Sequence, residues 1–164
     1  MELINQSLFN RCNNLAVVHG GKNVKIVDQY AFYECDSLRS ISDITPVTIN
    51  RNAFYNCRKL ESLNFSCIKS IGSESFYCCF GLKEADLTTL TSIESRSFVA
   101  CTSLKKVTFG NNITTIKYDA FNSCDALEEV ILGSSINSLE SNCFYSDKNA
   151  LKRVYITAPA PPAV

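Results

Sequence analysis

Apolar residues recur along this chain in a fixed phase. A Phe-x-x-Cys-x-x-Leu cassette begins at Phe9, Phe32, Phe54, Phe76, Phe98 and Phe121. A seventh copy opens at Phe144, with Asp147 in the cysteine place and one extra residue before Leu151. Successive phenylalanines lie 23, 22, 22, 22, 23 and 23 residues apart. Five residues before each Phe stand Ile4, Val27, Ile49, Ile71, Ile93, Ile116 and Leu139, and eight before stand Val24, Pro46, Ile68, Leu90, Ile113 and Ile136. These columns read as inward-facing. The residue next to the Phe is small in most copies (Ala31, Ala53, Ser75, Ser97, Ala120, Cys143), as a close approach of two backbones requires. After the cassette Leu the chain alternates with period 2, as in Leu60-Glu-Ser-Leu63-Asn-Phe65 and Leu104-Lys-Lys-Val107-Thr-Phe109. That is the pattern of a short, half-buried strand.

A unit of 22 or 23 residues cannot bury its own apolar side, so the copies must stack and share one core. The periodicity therefore predicts a mainly β solenoid of six to seven coils. Its strands line up as a parallel sheet about 4.8 Å apart on one face, and the Ile-x-x-Ile segments form the opposite wall. The Ala-Phe-x-x-Cys stretches make tight corners of short turns or single helical turns. Few long helices are expected.

The pattern Ile-x-x-Ile-x-x-x-Ala-Phe-x-x-Cys-x-x-Leu-x-x-Val-x-Phe, carried from Ile113 to Leu132 and from Ile68 to Leu87, closely resembles the BspA-like class of leucine-rich repeats. The likeness spans nearly the whole chain. It implies a right-handed leucine-rich-repeat solenoid. It also implies a secreted or surface-anchored protein engaged in adhesion to host matrix proteins or to other cells, which is fold-level analogy. The tail from Val154 to Val164 resembles a segment that precedes another repeat in bacterial members.

Composition narrows the function classes. Lys plus Arg and Asp plus Glu both number 16, so the chain lacks the basic excess that phosphate neutralisation needs, and nucleic acid is not an expected partner. No apolar run reaches the roughly 18 to 20 residues of a bilayer span, so membrane insertion is not expected. The start Met1-Glu2-Leu3-Ile4-Asn5-Gln6 lacks the regions of a signal peptide. The sole histidine, His19, lies at an outward strand position, and no metalloprotease, phosphate-loop, dinucleotide or nucleophile-elbow motif occurs. Glu84 and Asp86 could be paired on paper as catalytic carboxylates, but alternate strand residues share an exposed face that ordinarily carries charge. The chain is read as a non-enzyme without a cofactor.

Six of the nine cysteines share one repeat column, and their Cβ vectors point the same way, which disfavours bridging. Cys35, Cys57, Cys79, Cys101 and Cys124 are expected to be buried, reduced and unliganded, acting as small apolar plugs. Cys67 and Cys78 fall outside the buried columns and are the expected reactive thiols. A thiol or metal activity rests on the cysteine count alone.

The outward strand positions carry the candidate site. One column runs Glu84, Lys106, Glu129, Arg153 with alternating sign. The next turns apolar toward its end, through Ile131 to Tyr155, and aromatics concentrate interface energy. Tyr155, Ile131, Arg153, Glu129 and Lys106 are the expected partner-binding residues, with a solvated and self-compensated face as the competing view. Residues 1–164 read as one solenoid domain that starts inside a repeat without a polar cap. It is expected to be a fragment of a longer chain, or a short chain whose end coils pair with a neighbour. The expected function is a non-catalytic, adhesin-like interaction module for a protein or glycan, with a structural spacer as the alternative.

Overall fold

The computed structural model describes residues 2–157; the expectation for the proline-rich tail lies almost entirely outside them. Thirteen short strands and no helix make up the described residues, arranged as seven stacked coils. Each coil consists of a two-residue strand, a corner containing the cassette Phe, and a segment on the sheet face.

The sheet face holds Val17–His19, Ser40–Ser42, Glu84–Leu87, Lys106–Phe109, Glu129–Leu132 and Arg153–Ile156, all pairing in parallel with the strand one coil away. Coil 3 contributes only a single bridge, Ser40 to Ser62. The predicted single sheet is thus two pieces, interrupted between coils 3 and 4. The opposite wall pairs Leu3–Ile4, Ile26–Val27, Thr48–Ile49, Ser70–Ile71 and Ser92–Ile93, and separately Thr115–Ile116 with Ser138–Leu139. Its break falls between coils 5 and 6, where the extra residue of a 23-residue step lies after the strand, at Gly110-Asn111-Asn112. Glycine is required at that bend. A Cβ at Gly110 would sit 2.0 Å from the Thr88 carbonyl oxygen, and one at Gly133 would sit 1.9 Å from that of Gly110.

Of the two expected corner forms, short turns and single helical turns, the structure has short turns. In the first six corners the residues two before and two after the Phe both take positive φ, as in Tyr30 (57°) and Glu34 (55°), or Asn52 (57°) and Asn56 (58°). The main chain folds there as successive β-turns, with Cys57 N–H bonding Phe54 O at 3.1 Å and Leu60 N–H bonding Cys57 O at 3.0 Å. Positive φ falls at the third residue of these turns, Asn52 and Asn56, as a type II turn requires. Neighbouring corners are stitched together: the N–H of each Phe from Phe9 to Phe121 donates, at 2.8 Å, to the small residue before the next Phe.

Inside the corner the rings of Phe9, Phe32, Phe54, Phe76, Phe98, Phe121 and Phe144 form one stack, with centroids 4.9 to 5.4 Å apart. The five middle rings are completely buried, while Phe9 and Phe144 are half-buried. The other inward columns fill the rest of the core. Leu139, expected inward, is exposed in coil 7, as are Val154 and Ile156, because none of them has a following coil against it among the described residues.

The ladder cysteines are buried and unbridged from Cys35 to Cys124, but they do more than fill space. Each thiol donates to the carbonyl of the Phe one coil earlier: Cys35 to Phe9 and Cys57 to Phe32 at 3.0 Å, Cys79 to Phe54 at 3.2 Å, Cys101 to Phe76 at 3.3 Å and Cys124 to Phe98 at 3.2 Å. Burial pushes the Cys35 thiol up to about 11 and raises Cys57, Cys79 and Cys101 as well, since an apolar setting disfavours the thiolate.

Candidate partner-binding face

The sheet face brings the five predicted residues together. Lys106, Glu129 and Arg153 are register partners across coils 5, 6 and 7, and Ile131 pairs with Tyr155 in the adjacent outward column. Parallel pairing at a constant offset lays residues of one column side by side, so alternating sign in the sequence becomes contact in space. Glu129 is clasped from both sides, by Lys106 Nζ at 2.8 Å and Arg153 Nε at 3.0 Å. Hydrogen bonds from Lys106 and then Arg153 hold the Glu129 carboxyl below its ordinary value, while the bond to Glu129 raises both Lys106 and Arg153. Tyr155 is 48% exposed and Ile131 half-buried.

Charge pairing recurs along this face. Arg39 and Lys83 flank Glu61 at 3.7 and 2.9 Å, and Lys152 bonds Glu128 at 3.0 Å. Every one of these pairs joins neighbouring coils. From coil 5 to coil 7 the second outward column is thus ion-paired throughout, with an aromatic and an aliphatic side chain in the adjacent column at its C-terminal end. His19 Nδ1 lies 2.7 Å from Ser42 Oγ on the exposed face. No group of three or more His, Cys, Asp or Glu among the described residues is placed to hold a metal ion.

Three features escaped the sequence reading. Cys12, at the start of the cysteine column, is exposed, so it joins Cys67 as an accessible thiol, while Cys78 is half-buried and burial raises its pKa. The residue after the Phe is Tyr in copies 2, 3, 4 and 7, and Tyr33, Tyr55 and Tyr77 stack outside the corner at 4.9 and 4.8 Å. That column was visible in the sequence. Arg96 covers the end of the stack, 5.6 Å from the Tyr77 ring. The third feature is a cleft between coils 3 and 4, signalled in the sequence only by Gly81 within its cassette.

A stack of short parallel strands with an inward Phe and Leu in every turn defines a leucine-rich-repeat solenoid. The chain belongs to the BspA type leucine rich repeat region family, whose model matches six copies over residues 1–88 and 44–152. Among solved structures it is similar to a leucine rich cell surface protein from Faecalibacterium prausnitzii, at 28% identity and TM-score 0.86, over 100% of this chain and 45% of that one. A leucine-rich repeat protein from Bacteroides ovatus matches at 24% identity and TM-score 0.80, over 96% of this chain and 41% of that one. A leucine rich repeat protein of T. pallidum matches at 24% and 0.81, over 91% and 71%. The chain thus spans less than half the length of the first two. No curated protein matches it.

Proposed function

We propose that this chain is a non-catalytic interaction module of a surface-exposed or secreted adhesin-like protein, and that its sheet face docks a protein or glycan, host matrix proteins being the first ligands to test. The carrying observation is the joining of Lys106, Glu129, Arg153, Ile131 and Tyr155 into one outward patch with its charges already satisfied. A partner there meets an aromatic anchor without having to desolvate a lone charge. The cell-surface description of the Faecalibacterium relative supports the location.

The test is binding of the purified chain to immobilised matrix proteins and host-cell glycans, with wild type and Tyr155→Ala in parallel. Saturable binding weakened about tenfold or more by Tyr155→Ala, in line with a loss of roughly 1.4 kcal/mol or more at a hot spot, supports the module. No binding across the panel favours the spacer, in which the paired charges only keep the repeats soluble. Exposed Leu139, Val154 and Ile156 support a second element of the proposal, an end-to-end contact through coil 7. Sedimentation of wild type against Ile156→Asp reads that contact.

A further inference from the structure

The sheet face has one interruption, in the middle of the molecule and far along the strip from Tyr155. At every other interface of this face, the residue after the cassette Leu donates its N–H to its counterpart one coil earlier. Arg39 bonds Ala16, Glu61 bonds Arg39, Lys105 bonds Lys83, Glu128 bonds Lys105 and Lys152 bonds Glu128, at 2.8 to 3.0 Å. Between coils 3 and 4 the equivalent bond from Lys83 to Glu61 is missing among the described residues, and Gly81 N–H bonds Arg58 O at 2.9 Å instead. The interior stays closed beneath this gap. Phe65 is buried and its ring reaches both Phe76 and Phe98, at 5.7 and 6.3 Å, in space that Ala85 leaves as the smallest member of its column.

A cleft of about 530 Å³ results, lined on one side by Ser62, Asn64 and Ser66 and on the other by Glu84 and Asp86. Besides the Glu61–Lys83 pair, its lining carries an excess of two carboxylates, Glu84 and Asp86. In the three outward columns Glu61, Glu128 and Glu129 are all ion-paired, whereas Glu84 and Asp86 have no such partner among the described residues. Lys106, the register partner of Glu84, is turned to Glu129, and Lys83 is held by Glu61 at 2.9 Å.

We propose that this cleft docks an extended basic peptide segment, whose main chain bonds the open Lys83 N–H and Glu61 carbonyl and whose alternate Lys or Arg side chains meet Glu84 and Asp86. The spacing fits. Glu84 and Asp86 are two apart on one strand and lie on the same face, and residues i and i+2 of an extended peptide also share a face. This inference rests on the reading of the sheet face as the docking face and adds the class of partner. It is separable from that reading because coil 7 takes no part.

The experiment titrates fluorescein-labelled (Lys-Thr)5, an alternating basic strand former, into the chain by anisotropy, with (Glu-Thr)5 as control. Saturable binding of the basic peptide only is expected, weakened about tenfold in the Glu84→Gln/Asp86→Asn double variant and unchanged in Tyr155→Ala. Slowed amide exchange at Lys83 in the complex is expected as well. Absence of saturable binding, equal binding to the double variant, or an unprotected Lys83 amide would overturn the proposal. Failure of the matrix-protein panel with this result intact would overturn only the Tyr155 reading.

Discussion

At the residue scale, the same side-chain position is used differently at the two ends of a repeat column and in its middle. A ladder thiol sits in an apolar slot with its proton on a carbonyl, so it is a poor nucleophile; Cys12 has lost the slot because no coil covers it among the described residues. Labelling the native protein with an aromatic disulfide reagent should modify Cys12 and Cys67 first and Cys78 more slowly, with Cys35, Cys57, Cys79, Cys101 and Cys124 reacting only on unfolding. Rapid reaction of any ladder thiol would contradict the packing. The small column beside the Phe makes a second case. Ser97 Oγ is satisfied by the Glu94 carbonyl, but Ser75 Oγ, completely buried, has no hydrogen-bond partner among the described residues. Since Ala31, Ala53 and Ala120 fill the same place, Ser75→Ala should stabilise the fold by about 1 kcal/mol, the low end of the cost of an orphaned polar group. Denaturant unfolding of the two proteins measures it.

At the element scale, the seven coils, the inward columns and the parallel pairing were legible because each is a periodic property that one residue cannot upset. The positive φ within the corner turns was not. A Tyr30, Glu74 or Arg96 at positive φ (57°, 57° and 63°) runs against local preference, and the bonds within and between neighbouring corners hold it there. The candidate residues from Lys106 to Tyr155 came together as read, since a constant offset makes columns of neighbours. The cleft escaped because it is a missing bond, and coil 3 shows the same alternation as its intact neighbours. Coupling between nearest coils is tested by the Phe stack. Phe98→Ala empties a closed site between two rings and should cost about 3 to 5 kcal/mol. Phe9 stacks on Phe32 alone and is half-buried, so Phe9→Ala should cost clearly less. Equal losses in denaturant titrations would show that the coils do not stack as independent nearest neighbours.

At the scale of the whole molecule, eight of the sixteen acidic side chains are ion-paired to a base on a neighbouring coil among the described residues, which makes the fold sensitive to acid. Glu61, Glu128, Glu129 and Asp125 all have carboxyls lowered by a hydrogen-bonded lysine or arginine. A lowered folded value contributes stability above the ordinary carboxylate range, and that contribution is lost as pH falls through the folded values. The melting temperature should therefore fall below about pH 4.5. The difference between wild type and Glu129→Gln should be present at pH 6 and vanish in strong acid; a difference that persisted there would mean the pairing is not its source.

The two interruptions also have a mechanical meaning. The sheet face is cut between coils 3 and 4 and the opposite wall between coils 5 and 6, while the corner is bonded across all six interfaces. The corner thus acts as the spine of a book whose pages are the coils. Bending should splay the walls at the two cuts, on opposite sides of the molecule, and leave the spine intact. Such a body should flex in two directions, one per cut, and under an end-to-end pull the corner should be the last seam to part.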